Sequence, residues 1–137
     1  MSEAVRCDGW VVLVVDDQQD NLLVAQTTLE FFGAEVHTAY NGEEGIALLD
    51  TIRPTVILLD LRMPVLNGWE TLKRLQARTD LRRVPIIAVT AHAMSGDRQR
   101  VFAAGFDDYI SKPYDIELLP ARLEAAITRK QESISHV

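Results

Sequence analysis

Val56-Ile57-Leu58-Leu59-Asp60 is the stretch whose reading decides the fold. Four apolar residues, two of them β-branched, are closed by one acid. The run has the length and composition of a strand buried on both faces. Leu61-Arg62-Met63-Pro64 and Val65-Leu66-Asn67-Gly68 follow, and Pro64 with the Asn67-Gly68 pair forces a loop. A carboxylate therefore stands where a buried strand opens into a loop. In an open parallel sheet, ligands bind in the crevice beyond the carboxyl ends of the strands. An aspartate in such a place also serves as an ordinary turn cap. Asp60 alone decides nothing, and the rest of the chain has to weigh on it.

Four other short stretches read as strands. Residues 10–15 form a continuous apolar run, Trp10 to Val15, that ends in Asp16-Asp17. Residues 34–39 alternate and make a second, more polar strand. Residues 86–90 are a buried strand ending in Thr90, and residues 108–111 a short fifth strand followed by Lys112-Pro113. Between them lie five helical patterns. Leu22, Ala25, Leu29 and Phe32 give the first a single apolar face, with Asp20 or a neighbour as cap and Gly33 as stop. The second spans residues 43–51 after the Asn41-Gly42 turn, with Ile46 and Leu49 inward. The third spans residues 68–78, with Leu72 and Leu75 inward. The fourth spans residues 95–104 and stops at Gly105. Its apolar face, Met94, Val101 and Ala104, is weak. The fifth starts near Asp115 and buries Ile116, Leu119, Leu123 and Ala126. Residues 1–9 read as an arm, 10–131 as the domain and 132–137 as a frayed tail.

Strands alternating with helices imply a parallel sheet covered on both faces and joined by right-handed crossovers. The fold class is α/β, a doubly wound (βα)5 sheet. The polar second strand belongs at an edge.

Composition narrows the function. The chain has 137 residues, enough for one domain with a sizeable core. Its net charge is −6, and no basic run exceeds the pairs Arg82-Arg83 and Arg129-Lys130. That argues against a nucleic-acid partner, which needs a phosphate-neutralising surface. Cys7 is the single cysteine, so an intrachain disulfide is excluded. No apolar stretch approaches the ~20 residues of a membrane span, and residues 3–8 lack a signal-peptide pattern. The expected location is the cytoplasm, with no membrane partner.

The topology gathers chemistry at one rim. Strand one ends in Asp16 and Asp17, strand three in Asp60, strand four in Thr90, and Lys112 follows strand five. Three adjacent carboxylates repel, and a divalent cation resolves the conflict. An all-oxygen ligand set selects a hard ion, Mg²⁺ or Mn²⁺. Lys112 and Thr90 suit phosphate oxygens, and an aspartate is a competent nucleophile toward phosphorus. Phosphoryl transfer then depends mainly on positioning and charge neutralisation. Asp60, on the central strand, is the expected nucleophile.

Over residues 10–129 this constellation closely resembles the receiver domain of two-component response regulators. The motifs stand in order: Asp16-Asp17, Asp60 with Met63-Pro64 and Gly68, Thr90-Ala91, and Lys112-Pro113. Asn41-Gly42-Glu43-Glu44 and the stretch Ala104-Gly105-Phe106-Asp107-Asp108-Tyr109 fit as well. The resemblance implies the flavodoxin-like strand order 2-1-3-4-5. It implies that Asp60 accepts a phosphoryl group from a histidine kinase or histidine phosphotransfer protein. Asp17 would bind the metal directly, Asp16 mostly through water, and the main-chain carbonyl of Arg62 would complete the site with Asp60. Thr90 and Lys112 would bind phosphate oxygens, and Lys112-Pro113 would be a cis peptide that aims Lys112 at the site. Ala91 would leave room for Thr90 to move inward, and Tyr109 would act with Thr90 as an aromatic switch. The face made by helix four, strand five and helix five would then meet a downstream protein. His92 and Arg62 would border the phosphate.

Two other readings use the same residues. Aspartate-nucleophile Mg²⁺ phosphohydrolases of the haloacid-dehalogenase type also combine aspartate, hydroxyl and lysine. Their nucleophile, however, lies on the first strand with a second acid two residues on, where this chain has Gln18 and Gln19. A phosphate-independent receiver-like scaffold would lack the acceptor, the acidic pair or the lysine, and all are present here. His37 and His136 are isolated and suit surface or edge positions, with no spacing for zinc. Trp10 and Trp69 read as packing residues.

Overall fold

The computed structural model describes residues 5–91 and 97–135. The order is β1 (Val11–Val15), α1 (Gln19–Phe31), β2 (Glu35–Ala39), α2 (Gly42–Leu48), β3 (Val56–Asp60), α3 (Gly68–Gln76), β4 (Ile86–Thr90), α4 (Asp97–Ala104), β5 (Asp108–Ser111) and α5 (Leu119–Ser135). A short 3₁₀ turn, Thr79–Leu81, follows α3. The strands form one sheet in the order β2-β1-β3-β4-β5, every pair parallel, with Leu13 opposite Ile57 and Leu58 opposite Ile87. This is the flavodoxin-like α/β architecture, with the polar strand at one edge.

The all-apolar strands are explained by what covers them. Side chains alternate across a strand. Val12, Val14, Leu58, Ile87 and Val89 join Leu22, Ala25 and Leu29 of α1 and Leu119, Leu123 and Ala126 of α5 in one core. Leu13, Val15, Ile57, Leu59 and Ala88 face the other way, onto Leu72 and Leu75 of α3, Val101 of α4 and Phe106. β3 and β4 are buried along their whole length.

Several local expectations are corrected. The arm is partly docked: Cys7 is fully buried among α1 and α5 residues, and its N–H donates to the Phe32 carbonyl at 2.8 Å. α1 has no side-chain cap. Gln18 holds the N-cap position, and its own N–H donates to Asp16 Oδ1 at 2.9 Å. The two Asn-Gly pairs start helices rather than merely turning the chain. Asn41 Oδ1 accepts from the Glu44 N–H (2.8 Å). Asn67 and Glu70 form a reciprocal capping box at the start of α3. α2 and α3 are shorter than expected, ending at Leu48 and Gln76. α5 begins at Leu119. Residues 115–118 form the preceding turn, where Asp115 Oδ1 accepts from the Glu117 N–H, and Ile116 is 53% exposed rather than inward. At its other end α5 continues to Ser135, through part of the expected tail. Gly33 and Gly105 stop α1 and α4 in the left-handed region, at φ 106° and 110°. His92, Met94, Ser95 and His136 lie outside the described residues. His37 sits on edge strand β2 beside Glu35, at 2.7 Å.

Candidate functional site

The site is assembled by strand ends. β1 delivers Asp16 and Asp17, β3 Asp60, β4 Thr90, and the residue after β5 is Lys112. Their separation along the chain is erased by parallel register: Asp60 lies opposite Val89, and Thr90 opposite Ser111. Backbone bonds extend the ladder past the strands, from the Leu61 N–H to the Val89 carbonyl and from the Lys112 N–H to the Thr90 carbonyl. Asp16, Asp60 and Thr90 are 1%, 4% and 2% exposed, whereas Asp17 faces solvent. Polar groups so deeply placed in an otherwise apolar layer need partners.

Lys112 supplies the main one. Its Nζ lies 2.7 Å from Asp16 Oδ2 and 3.2 Å from Asp60 Oδ2, so one ammonium bridges two buried carboxylates. The other oxygens are met by backbone. Asp16 Oδ1 accepts from the Gln18 N–H at 2.9 Å, and Asp60 Oδ1 from the Arg62 N–H at 3.2 Å. The Lys112–Pro113 peptide bond is cis. Gly68, first residue of α3, packs against the back of the loop. A Cβ there would overlap the Asp60 carbonyl oxygen and lie 2.7 Å from Leu61 Cα. The loop between them contains a tight three-residue turn, with the Leu66 N–H on the Pro64 carbonyl and Val65 at φ 69°.

The electrostatics follow from burial. Burial and the nearby charge of Asp16 push the Asp60 carboxyl up to about 6, against the pull of Lys112 and the Arg62 N–H. Burial pulls the Lys112 ammonium down, but its bond to Asp16 and the two negative charges outweigh this and hold it above its ordinary value. One lysine does not balance three acids. Carboxylate oxygens of Asp16, Asp17 and Asp60 all lie within 4.8 Å of one another. The donors are hard oxygens, one acid is open to solvent, and Asp16 Oδ2 has no hydrogen bond besides its close ion pair. This set fits a small divalent cation such as Mg²⁺.

Tyr109 is half-buried on β5, packed against the α3–α4 core, and burial raises its phenol, with Asp97 adding to the effect. Its hydroxyl is enclosed without a hydrogen-bond partner among the described residues. Arg122 and Arg129 of α5 pair with Asp108, at 3.7 and 3.0 Å, and fasten α5 to β5. Sequence reading passed over Tyr114. It is buried directly after Pro113, and burial together with the charges of Asp16 and Asp60 pushes its phenol up. Its only sequence signal was an aromatic next to Lys112-Pro113.

Comparisons with known proteins bear on the family and the fold. The model of the response regulator receiver domain matches residues 12–124. The polar-differentiation response regulator DivK of Brucella anthropi is 38% identical over 105 residues, covering 77% of this chain and 85% of that protein. The probable transcriptional regulator ycf27 of Porphyridium aerugineum is 34% identical over 125 residues, and the match spans 51% of it. Among solved structures, Vibrio cholerae CheY4 superposes with a TM-score of 0.80 at 31% identity, covering 85% of this chain and 98% of that one. The receiver domain of Pseudomonas aeruginosa sensor histidine kinase PA1611 was solved with magnesium coordinated in its active-site cleft. It gives 0.79 at 35% identity, covering 88% and 98%. Among the described residues no helix is long and apolar enough to cross a membrane. With the family model spanning most of the chain and a relative 38% identical over 85% of its own length, the protein belongs to the response regulator receiver domains of two-component signalling.

Proposed function

We propose that the protein is a phosphorylation switch whose acceptor is Asp60. The observation that carries this reading is the bridging of Asp60 and Asp16 by Lys112 at the carboxyl edge of the sheet, with Asp17 open to solvent beside them. The donor is a phosphohistidine on a histidine kinase or phosphotransfer protein. An Asp60 carboxylate oxygen forms a bond to phosphorus as the P–N bond breaks, and the departing imidazole keeps the electron pair and takes up a proton. With its carboxyl near 6, Asp60 is mostly ionised at neutral pH and competent as nucleophile. Asp16, Asp17, Asp60 and the Arg62 main-chain carbonyl would hold Mg²⁺, or Mn²⁺ in its place, and such an ion would supply neutralisation of charge on the transferring group.

Lys112 is already within reach of Asp60, so it moves to a phosphate oxygen with little rearrangement. A phosphoryl group adds about −1.5 to −2 charges at this spot. Thr90 donates its hydroxyl to a phosphate oxygen, and Tyr109 turns with it. The face formed by α4, β5 and α5 then differs between states and is the surface for a downstream protein. The work is done in the cytoplasm, by a protein that takes part in its own phosphorylation without being a turnover enzyme.

An acyl phosphate has a chemical signature that tests this reading. Label incorporated from radioactive acetyl phosphate with Mg²⁺ is expected to survive brief acid and to be released by neutral hydroxylamine. Label that resists hydroxylamine would place the phosphate on a hydroxyl and contradict the reading.

A further inference from the structure

α4 is lightly held. Among its described residues only Val101 is fully buried, and the helix spans only Asp97–Ala104. β5 lies against it, and side chains of α3 reach it at both ends. The Arg100 guanidinium stacks over the Trp69 ring, 5.0 Å from its centroid. Trp69 in turn meets Phe106 edge-on, with centroids 5.8 Å apart. At the far end the Gln76 amide donates to the Ala104 carbonyl at 3.0 Å, and Gly105 leaves the space Gln76 occupies. Trp69 directly follows Gly68, the residue packed against the Asp60 carbonyl. One turn of α3 therefore carries both a contact to the acid loop, at Gly68, and a contact to α4, at Trp69.

From this we infer that Arg100 and Trp69 are a latch. They hold α4 in the phosphate-free arrangement and oppose the rearrangement that accompanies occupation of Asp60. The inference rests on the phosphoacceptor reading. A contact made in only one of two states shifts their balance by its own strength. A cation–π pair at an exposed site corresponds to about a two- to fivefold change in an equilibrium. The Asp97–Arg100 ion pair, at 3.8 Å, is a weak exposed contact and is not the latch.

The test is a titration with beryllofluoride in saturating Mg²⁺, read by NMR, on wild type, Arg100→Gln, Arg100→Lys and Asp97→Asn. Beryllofluoride stands in for the phosphoryl group without turning over. Arg100→Gln is expected to bind about two- to fivefold more tightly. Arg100→Lys, which keeps a cation, should fall near wild type, and Asp97→Asn should match it. Mg²⁺ affinity, measured separately, should be the same in all four, which a general loosening of the domain would not give. Equal or weaker beryllofluoride binding by Arg100→Gln would overturn the latch alone. No binding by wild type would overturn the phosphoacceptor reading and the latch with it.

Discussion

Lys112→Met is expected to destabilise the metal-free protein by about 3 kcal/mol at pH 7, the scale for removing one partner of a buried ion pair. The lysine is the shared counter-ion of Asp16 and Asp60, at 2.7 and 3.2 Å, and all three side chains are at least nine-tenths buried. Methionine retains most of the packing but leaves two carboxylates facing each other without a cation. The Asp60 carboxyl, already raised to about 6, should rise further and stay protonated at neutral pH. Urea unfolding in chelator measures the loss. Part of it should return on adding Mg²⁺, which supplies the missing positive charge. Unchanged stability would mean that Lys112 does not neutralise the pair.

Asp60→Asn should act in the opposite direction. A carboxyl raised in the folded state favours folding while it is protonated and loses that advantage on ionising. Below the unfolded value of 3.8 it is protonated in both states and costs nothing. As the pH rises through about 6 the charge is forced into a buried site, and stability is lost. Relief of that buried charge, less the lost bond to Lys112, gives Asp60→Asn an advantage on the order of 2 kcal/mol above pH 7 in chelator. The advantage should fade between pH 6 and 4 and disappear below. Mg²⁺ should reduce it, because the ion gains an anionic ligand from Asp60 that the asparagine does not supply. Chemical denaturation of both proteins at pH 4 and pH 8 reads the effect. A gain independent of pH would trace it to packing rather than charge.

The opposite signs of these two substitutions express one feature of the fold, a cluster with more negative charge than its lysine can balance. That feature was legible in the sequence. Runs such as residues 56–59 are apolar at every position because both sheet faces are covered, and a polar residue that closes such a run has nowhere to go but the rim. Asp16, Asp60 and Thr90 could be placed together from that rule, and Lys112 joins them because alternating strands and helices make the sheet parallel, so that all strands end at one rim. The strand order came from resemblance to receiver domains, since alternation by itself is compatible with more than one order.

The features that escaped sequence reading depend on contacts between distant residues or on local caps. Nothing around Cys7 has periodicity, yet the arm docks because one backbone bond to Phe32 and a gap between α1 and α5 receive it. Ile116 fits the apolar spacing of α5, but Asp115 ties the chain into a turn first and turns Ile116 to solvent. Trp69 and Arg100 lie far apart in the chain, and only the packing of α4 on α3 brings guanidinium and ring together. Tyr114 follows Lys112-Pro113 with no pattern to mark it as buried.

The most direct test is intact mass after incubation with acetyl phosphate and Mg²⁺, for wild type and Asp60→Asn side by side. One added phosphoryl group is expected on the wild type, absent from the variant and absent when chelator replaces Mg²⁺. Beryllofluoride binding under the same conditions covers the case in which hydrolysis outruns detection. An adduct of equal size on Asp60→Asn, or a wild type that neither gains mass nor binds beryllofluoride, would contradict the phosphoacceptor reading.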